Sequence, residues 1–383
     1  MNIQELQQLY ALSPQVKALT ALLEEKSPET ISIEGLVASS VAMTFAAIET
    51  KNKRVMLFIM PDADEAGYLY HDLQQVLGER QVLFFPSSYR RSVKYGQRDA
   101  ANEILRTEVL ARLSTLSNQH PMLYVVSHPE AVAELVVSKK RLDDRTLVLQ
   151  KDQTIQVDSV IGTLRSFGFR EVDYVYEPGQ FALRGSILDV FSFSNEYPFR
   201  VDFFGDDIDS IRTFEVENQL SRERLEQIEI VPELTDETSD RVSLLSFLDS
   251  DAVLVMKDRL FVREIIDKTY EEGFSAQAIK ERTEGATEEE QTHIVESMRK
   301  EVQLMTGSQF QRQSSMFKTV LIKASSNLSS PLEQRSLATQ EHSTLKFHIS
   351  QQPLFHKNFE LLKQSLDDFL ARGYHIYILA DSQ

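Results

Sequence analysis

Between Phe167 and Phe214 the chain reads FGFREVDYVYEPGQFALRGSILDVFSFSNEYPFRVDFFGDDIDSIRTF, and few arrangements suit such a tract. Glu177-Pro178-Gly179-Gln180 places Pro second and Gly third, the chemistry of a type II turn. Gly205-Asp206-Asp207 separates two β-rich runs, Phe199–Phe204 and Ile208–Phe214, and reads as a short hairpin loop. The runs of Val, Ile, Phe and Leu between these turns are about as long as ordinary strands. Together they predict a small antiparallel β meander over roughly 145–235. An amphipathic segment at helical spacing (Val157, Ile161, Leu164, Phe167) leads into it.

On either side the pattern changes. Residues 3–26 read as helix, interrupted at Ser13-Pro14, an N-cap followed by Pro at the first helical position. Strands are expected at Thr30–Ile33, Arg54–Met60, Gln81–Phe85 and Met122–Val126. Helices are expected at Ser39–Glu49, Asp62–Leu77 (closed by Gly78), Ala100–Leu116 and Pro129–Val137. Strands alternating with helices imply parallel βαβ units. After the meander, the polar run Pro232–Asp240 reads as a seam. Then follow a helix with Leu244, Leu245 and Leu248, a strand at Ala252–Met256 and a helix around Leu260–Tyr270. Residues 274–305 are charged and helical in composition, and Ala324–Ser343 reads as an exposed loop. The last elements are a helix, Asn358–Arg372, then Gly373 and a strand, Tyr374–Ala380. Stopping directly after a strand reads as a truncation. The expected layout is therefore an α/β domain over 1–144, a β-rich domain over 145–235 inserted into it, and the second part of the α/β scaffold over 236–383.

With 383 residues, the chain is long enough for two or three domains with their own cores. It has no cysteine, which excludes disulfides and thiolate metal sites and fits a cytoplasmic protein. No apolar run reaches membrane-spanning length, and the N-terminus lacks the build of a signal peptide. A soluble cytoplasmic protein is expected. Lys and Arg number 41 against 58 Asp and Glu, a net charge of −17. Nucleic-acid binding rests on cations that neutralise phosphates, so this balance favours a protein partner.

The cations of the β-rich region stand out. From Asp152 to Met256 there are eight arginines (165, 170, 184, 200, 212, 222, 224 and 241) and no lysine. Arginine's planar fork and weak hydration suit it to partner-facing ion pairs, and interfaces favour it over lysine. The competing reading is ordinary intrachain pairing with Asp189, Asp202, Asp206 and Asp209.

Other motifs carry less. Gly35-Leu36-Val37-Ala38-Ser39-Ser40-Val41-Ala42 follows a strand and opens a helix, where a phosphate loop would sit. A working loop needs a second glycine, a lysine for the β/γ-phosphates and a hydroxyl for magnesium. Here Ser40, Val41 and Ala42 occupy those positions, so nucleotide hydrolysis loses its mechanism and no cofactor is expected. Ser87–Arg98 (SSYRRSVKYGQR) has four cations and two tyrosines, but aromatic interleaving is sparse and it reads as a solvated loop. The eight histidines are scattered without ligand spacing, so no metal site is expected. Ser127-His128 has no companion pattern for a triad.

The run GFREVDYVYEPGQFALRGSILDVF…YPFRVDFFGDDIDSIRTFE resembles the second domain of bacterial transcription-repair-coupling factors, which is similar to the matching domain of the excision-repair protein UvrB. The resemblance extends more weakly over most of the chain. It implies a degenerate RecA- or helicase-like parallel-sheet domain without a nucleotide site, carrying an inserted antiparallel β-rich domain. It implies binding to the damage sensor UvrA, with Arg170, Phe181, Arg184 and Phe191 as the interface candidates. UvrB-like proteins carry a long aromatic-rich hairpin near Ser87–Arg98 that engages damaged DNA. Here it is shortened or missing, so little direct nucleic-acid binding is expected. In the whole family protein other domains bind RNA polymerase and translocate on DNA by ATP hydrolysis; contacts with those domains are a second expected interaction. The leading expectation is a non-enzymatic recruitment module. The alternatives are a UvrB-like ATP-dependent DNA-binding or helicase fragment, and an autoinhibitory domain of a longer translocase.

Overall fold

The computed structural model describes residues 2–25, 30–50, 54–88, 100–115, 122–234, 241–274, 304–323, 343–349 and 358–376. The first part of the chain supplies β1 (Thr30–Glu34), β2 (Val55–Ile59), β3 (Val82–Phe85) and β4 (Leu123–Ser127), followed by the short β5 (Val136–Val137). The β-rich region holds β6 (Leu147–Gln150), β7 (Arg170–Glu171), β8 (Gln180–Arg184) and β9 (Ile187–Val190). It continues with β10 (Phe199–Phe204), β11 (Asp207–Phe214), β12 (Ser221–Leu225) and β13 (Gln227–Ile230). Beyond it lie β14 (Arg241–Val242), β15 (Val253–Met256), β16 (Lys318–Lys323) and β17 (Ser343–Lys346).

Among the described residues seven strands form one sheet in the order β17-β1-β16-β15-β2-β4-β3, and every pairing in it is parallel. Its inner strands are buried on both sides. In β2, Val55, Leu57 and Ile59 enter one core, while Met56 and Phe58 enter the other. Helices 14–24, 40–46 and 63–77 cover the second face through Leu19, Phe45 and Leu69. Helices 100–115, 259–274 and 307–314 cover the first through Val109, Ile266 and Phe310. Both faces of a parallel sheet must be covered in this way because its crossovers run over them. The expected α/β class with a separate antiparallel sheet is what forms.

Local chemistry sets the element ends. The Ser13 side chain accepts from the Val16 amide, with Pro14 opening the helix. Asp62 accepts from the amides of Asp64 and Glu65 to start helix 63–77, and Gly78 closes it at φ +83°. Each satisfies helix-end groups that would otherwise lack partners.

Several elements depart from the sequence reading. The expected helix Pro129–Val137 stops at Ala133, and Val136–Val137 instead pairs with Arg241–Val242. Glu134, at that break, is buried under the Ser87 and Ser88 hydroxyls at 2.6 Å each and the Arg106 guanidinium at 3.3 Å. That tertiary demand outweighs helix propensity. Leu244–Phe247 makes a 3₁₀ turn. β16 has no counterpart in the sequence reading, yet it lies between β1 and β15 inside the sheet. Residues 374–376 carry no strand. The expectations for 275–303, 324–342, 377–383, residues 89–98 of the basic loop and residues 235–240 of the polar seam lie outside the described residues.

The second sheet runs β12-β11-β10-β9-β8-β7. It is a meander except that β7 joins β8 in parallel. Gly179 (φ +81°) and Gly205 (φ +66°) take the left-handed conformation their turns require. Helix 157–166 packs Val160, Ile161 and Leu164 against Phe181, Leu188, Val201 and Ile208 on one face. β6 and β13 pair as a separate antiparallel ribbon whose Leu149, Ile228 and Ile230 join the same core.

Candidate functional site

The loop after β1 is closed by its own hydrogen bonds. Gly35 has φ +87°, and a Cβ there would lie 2.1 Å from the backbone oxygen of Phe347. The close approach of the edge segment after β17 requires glycine at this position. The Ser40 hydroxyl accepts from the Val37 amide at 2.8 Å and donates to the Val37 carbonyl at 2.6 Å. The Ser40 and Val41 amides donate to the carbonyls of Val37 and Ala38. A phosphate loop works by pointing such amides at one anion; here they bond within the turn. Ser40, Val41 and Ala42 are all buried.

Ser127 and His128 do not pair with each other. The Ser127 hydroxyl donates to the Phe85 carbonyl at 2.8 Å. His128 Nδ1 lies 2.8 Å from Glu130, and its Nε2 accepts from the Ser87 amide at 3.3 Å. Among the described residues no cluster of His, Asp and Glu is arranged to hold a metal. No described helix is long and apolar enough to cross a membrane.

The arginine-bearing face of the six-stranded sheet has more to offer. Strand alternation puts residues 182 and 184 of β8, 189 of β9, 200 of β10, 212 of β11 and 224 of β12 on the side away from helix 157–166. The register makes Ala182, Asp189, Arg200, Arg212 and Arg224 successive cross-strand neighbours. Like charges set directly opposite repel, and the row is held by carboxylates. Arg200 Nε and Nη2 donate to Asp189 Oδ1 and Oδ2 at 2.7 and 2.8 Å. Arg212 pairs with Asp202 at 2.7 Å. Arg200 also donates to the Gln219 carbonyl at 3.1 Å and lies over the Phe214 ring at 4.3 Å. The Asp189 hydrogen bonds hold its guanidinium above the ordinary arginine range, against the opposing effect of burial.

Arg184 shares that anchor but sits further out. Its Nη2 donates to Asp189 Oδ2, its Nη1 donates to the Asp173 carbonyl at 3.0 Å, and its guanidinium lies 4.9 Å from the Tyr174 ring centre. The Asp173 and Tyr174 contacts exist because residues 172–176 fold over this end of the face. Val175 there packs with Ala182, Phe191 and Phe214. Arg170 is more exposed and reaches Glu177 only at 3.9 Å.

The four interface candidates thus divide. Arg170 and Arg184 reach the surface. Phe181 and Phe191 do not: they are 0% and 6% exposed and lie in two different cores, Phe181 beneath the sheet and Phe191 above it. Packed there, the two rings support the strands that carry the arginines rather than lying open to a partner. The exposed aromatics of the β-rich region are instead Tyr174, Tyr176 and, at the tip of the β10–β11 hairpin, Phe204 at 82%. Phe204 follows buried Phe203 in the β10 alternation, a signal the sequence holds but that burial decides. Of the cations, Arg184, Arg200 and Arg212 meet the expected Asp189 and Asp202, whereas Arg165, Arg170 and Arg222 meet Glu171, Glu177 and Glu215 instead. Asp189 and Asp202 serve as expected, whereas Asp206 contributes its backbone oxygen, accepting from the Ile155 amide at 2.7 Å.

Comparison with known proteins bears on this same sheet. Residues 147–235 match the family model described as the UvrB interaction domain. The transcription-repair-coupling factor of Escherichia coli is 29% identical over 212 residues, 55% of this chain and 18% of that protein. That of Haemophilus influenzae is 28% identical over 200 residues, 52% of this chain and 17% of the relative. That of Bacillus subtilis is 26% identical over 227 residues, 59% and 19% respectively. The match therefore spans less than a fifth of the length of these relatives. The chain is similar over about half its length to transcription-repair-coupling factors, and its six-stranded sheet lies within the segment that matches the UvrB interaction domain model.

Proposed function

We propose that this chain is a non-catalytic recruitment module of a transcription-coupled DNA repair factor, and that the arginine face of its six-stranded sheet binds the excision-repair protein UvrA. The observation that carries the reading is the match of residues 147–235 to the UvrB interaction domain, on a sheet whose free face offers Arg170 and Arg184 with exposed Tyr174 and Tyr176. Arginine and tyrosine are the residues that dominate protein interfaces energetically. The α/β domain acts as scaffold. The Val37–Val41 turn that replaces a phosphate loop consumes its own amides, which weighs against an ATP-driven motor in this segment.

Binding is tested by titrating the 383-residue chain into UvrA and repeating the titration with the Arg170→Ala, Arg184→Ala double variant. Saturable binding that the double variant loses supports the reading. Absence of binding by the parent chain overturns it, and equal binding by the double variant removes these arginines from the interface.

A further inference from the structure

We propose that Asp189 is the positioning residue of this interface, a buried carboxylate that fixes Arg184 at the surface and leaves one positive charge for an acidic group of the partner. The proposal rests on the recruitment reading above, but its geometry stands apart from it. Asp189 is 0% exposed. Arg200 is sufficient to neutralise it, engaging both carboxylate oxygens at 2.7 and 2.8 Å. Arg200 is itself committed to the interior: its side chain is 14% exposed, its third bond goes to the Gln219 carbonyl, and Phe214 lies beneath it. A bidentate pair of this kind is complete, so burial of Asp189 does not call for a second cation.

Arg184 nevertheless takes Asp189 Oδ2 as well. The cluster then holds two guanidinium groups and one carboxylate, and Arg212 brings no surplus because Asp202 neutralises it. Of the two arginines on Asp189, only Arg184 reaches solvent appreciably, at 34% of its side chain. Two of its N–H groups are fixed, by Asp189 and by the Asp173 carbonyl. A guanidinium has about five, so roughly three remain on a group whose orientation is set from below and whose face is set by Tyr174. An arginine held in this way loses little rotamer freedom on binding, which is where preorganised contacts gain affinity. The complementary chemistry is an Asp or Glu side chain of the partner protein.

The test has two parts. In nitrogen-15 spectra of the wild-type chain, the Arg184 guanidinium, assigned by its loss in Arg184→Lys, is expected to show resolved, slowly rotating Nη groups. In Asp189→Asn these signals are expected to average. Binding of UvrA by Asp189→Asn is expected to weaken about tenfold or more, and adding Arg184→Ala to it should weaken binding no further, the non-additivity of coupled residues. Arg170→Ala should keep its full separate effect in the Asp189→Asn background. Free rotation of Arg184 in the wild-type chain overturns the proposal, and so does additivity of Asp189→Asn with Arg184→Ala. The wild-type spectrum needs no change at Asp189, so it decides the matter even where Asp189→Asn does not fold. Absence of UvrA binding by the parent chain would refute the recruitment reading, while the spectra would still decide whether Asp189 holds Arg184.

Discussion

Arg170 and Arg184 lie on the same sheet but differ in what holds them, and their variants should differ accordingly. The Arg170 side chain is 69% exposed with one distant carboxylate at 3.9 Å, and exposed pairs of that kind contribute about 0–1 kcal/mol. Arg170→Ala is expected to leave thermal stability within about half a kcal/mol of the parent while weakening UvrA binding by about 1–4 kcal/mol. Arg184→Ala should weaken binding as well and cost somewhat more stability than Arg170→Ala, because it removes hydrogen bonds to Asp189 and the Asp173 carbonyl while Arg200 still neutralises the carboxylate; calorimetric melting and titration of the same samples separate the two effects. Arg184→Lys keeps the charge but not the fork, and parent-like binding by it would show that net charge suffices. Phe181→Ala should behave as a core variant, losing about 3–5 kcal/mol in a denaturant melt. Glu108 offers a pH handle. Burial pushes its carboxyl up to about 7, with Arg112 opposing and Glu196 adding to the rise. A folded-state value above the unfolded one means the folded chain holds the proton more tightly, so this group lowers stability as pH climbs from about 4.5 to about 7, above which the loss is complete. Glu108→Gln is therefore expected to raise the melting temperature at pH 8 and leave it little changed at pH 4.

At the scale of elements, the turn between β1 and helix 40–46 carries the next expectation. Titration with ATP and magnesium should give no heat beyond dilution, and micromolar affinity would sink the scaffold reading. Val41→Lys, which restores the missing lysine, should not restore binding. Val41 is 9% exposed within the core that covers this face of the parallel sheet, so the substitution buries an unpaired charge and should lower stability. The β9–β10 pair shows the opposite design. Asp189 and Arg200 face each other across strands through direct register, which lets one buried carboxylate tie β8, β9 and β10 together. Breaking such a pair from one side is costly, about 3–5 kcal/mol.

For the whole molecule, charge and topology act together. A net charge of −17 opposes association with a polyanion, and most arginines of the β-rich region are already met by this chain's own carboxylates. A gel shift with duplex DNA at physiological salt should show no tight complex; tight binding with a steep salt slope would reverse the ranking of partner classes. The α/β scaffold is closed by segments far apart in sequence. β16 lies between β1 and β15, and β17 covers the outer edge of β1. Phe347, just past β17, donates its amide to Glu34 and abuts Gly35. The nucleotide-loop position is thus packed from the other end of the chain.

Periodicity, caps and turns were enough to read the α/β class, the four early strands, the Ser13-Pro14 and Gly78 boundaries and the meander with its Gly179 and Gly205 turns. These are local properties, set by backbone geometry and by which side of an element is apolar. The sequence also shows Ser40, Val41 and Ala42 where a phosphate loop carries glycine, lysine and a hydroxyl residue, because side-chain identity alone decides that. What it could not reveal depends on distant segments meeting. β16 and β17 earn their places only by pairing with β1, some three hundred residues earlier in the chain. Glu134 breaks a helix because Ser87, Ser88 and Arg106 arrive beside it. Phe181 and Phe204 are both phenylalanines on strands of one sheet, yet one is buried and the other lies at the surface, a difference set by what packs on each face. Which arginine reaches the surface was likewise decided in three dimensions: Arg200 and Arg184 share one carboxylate, and the contacts of Arg200 with Phe214 and Gln219 hold it in the interior while Arg184 lies further out.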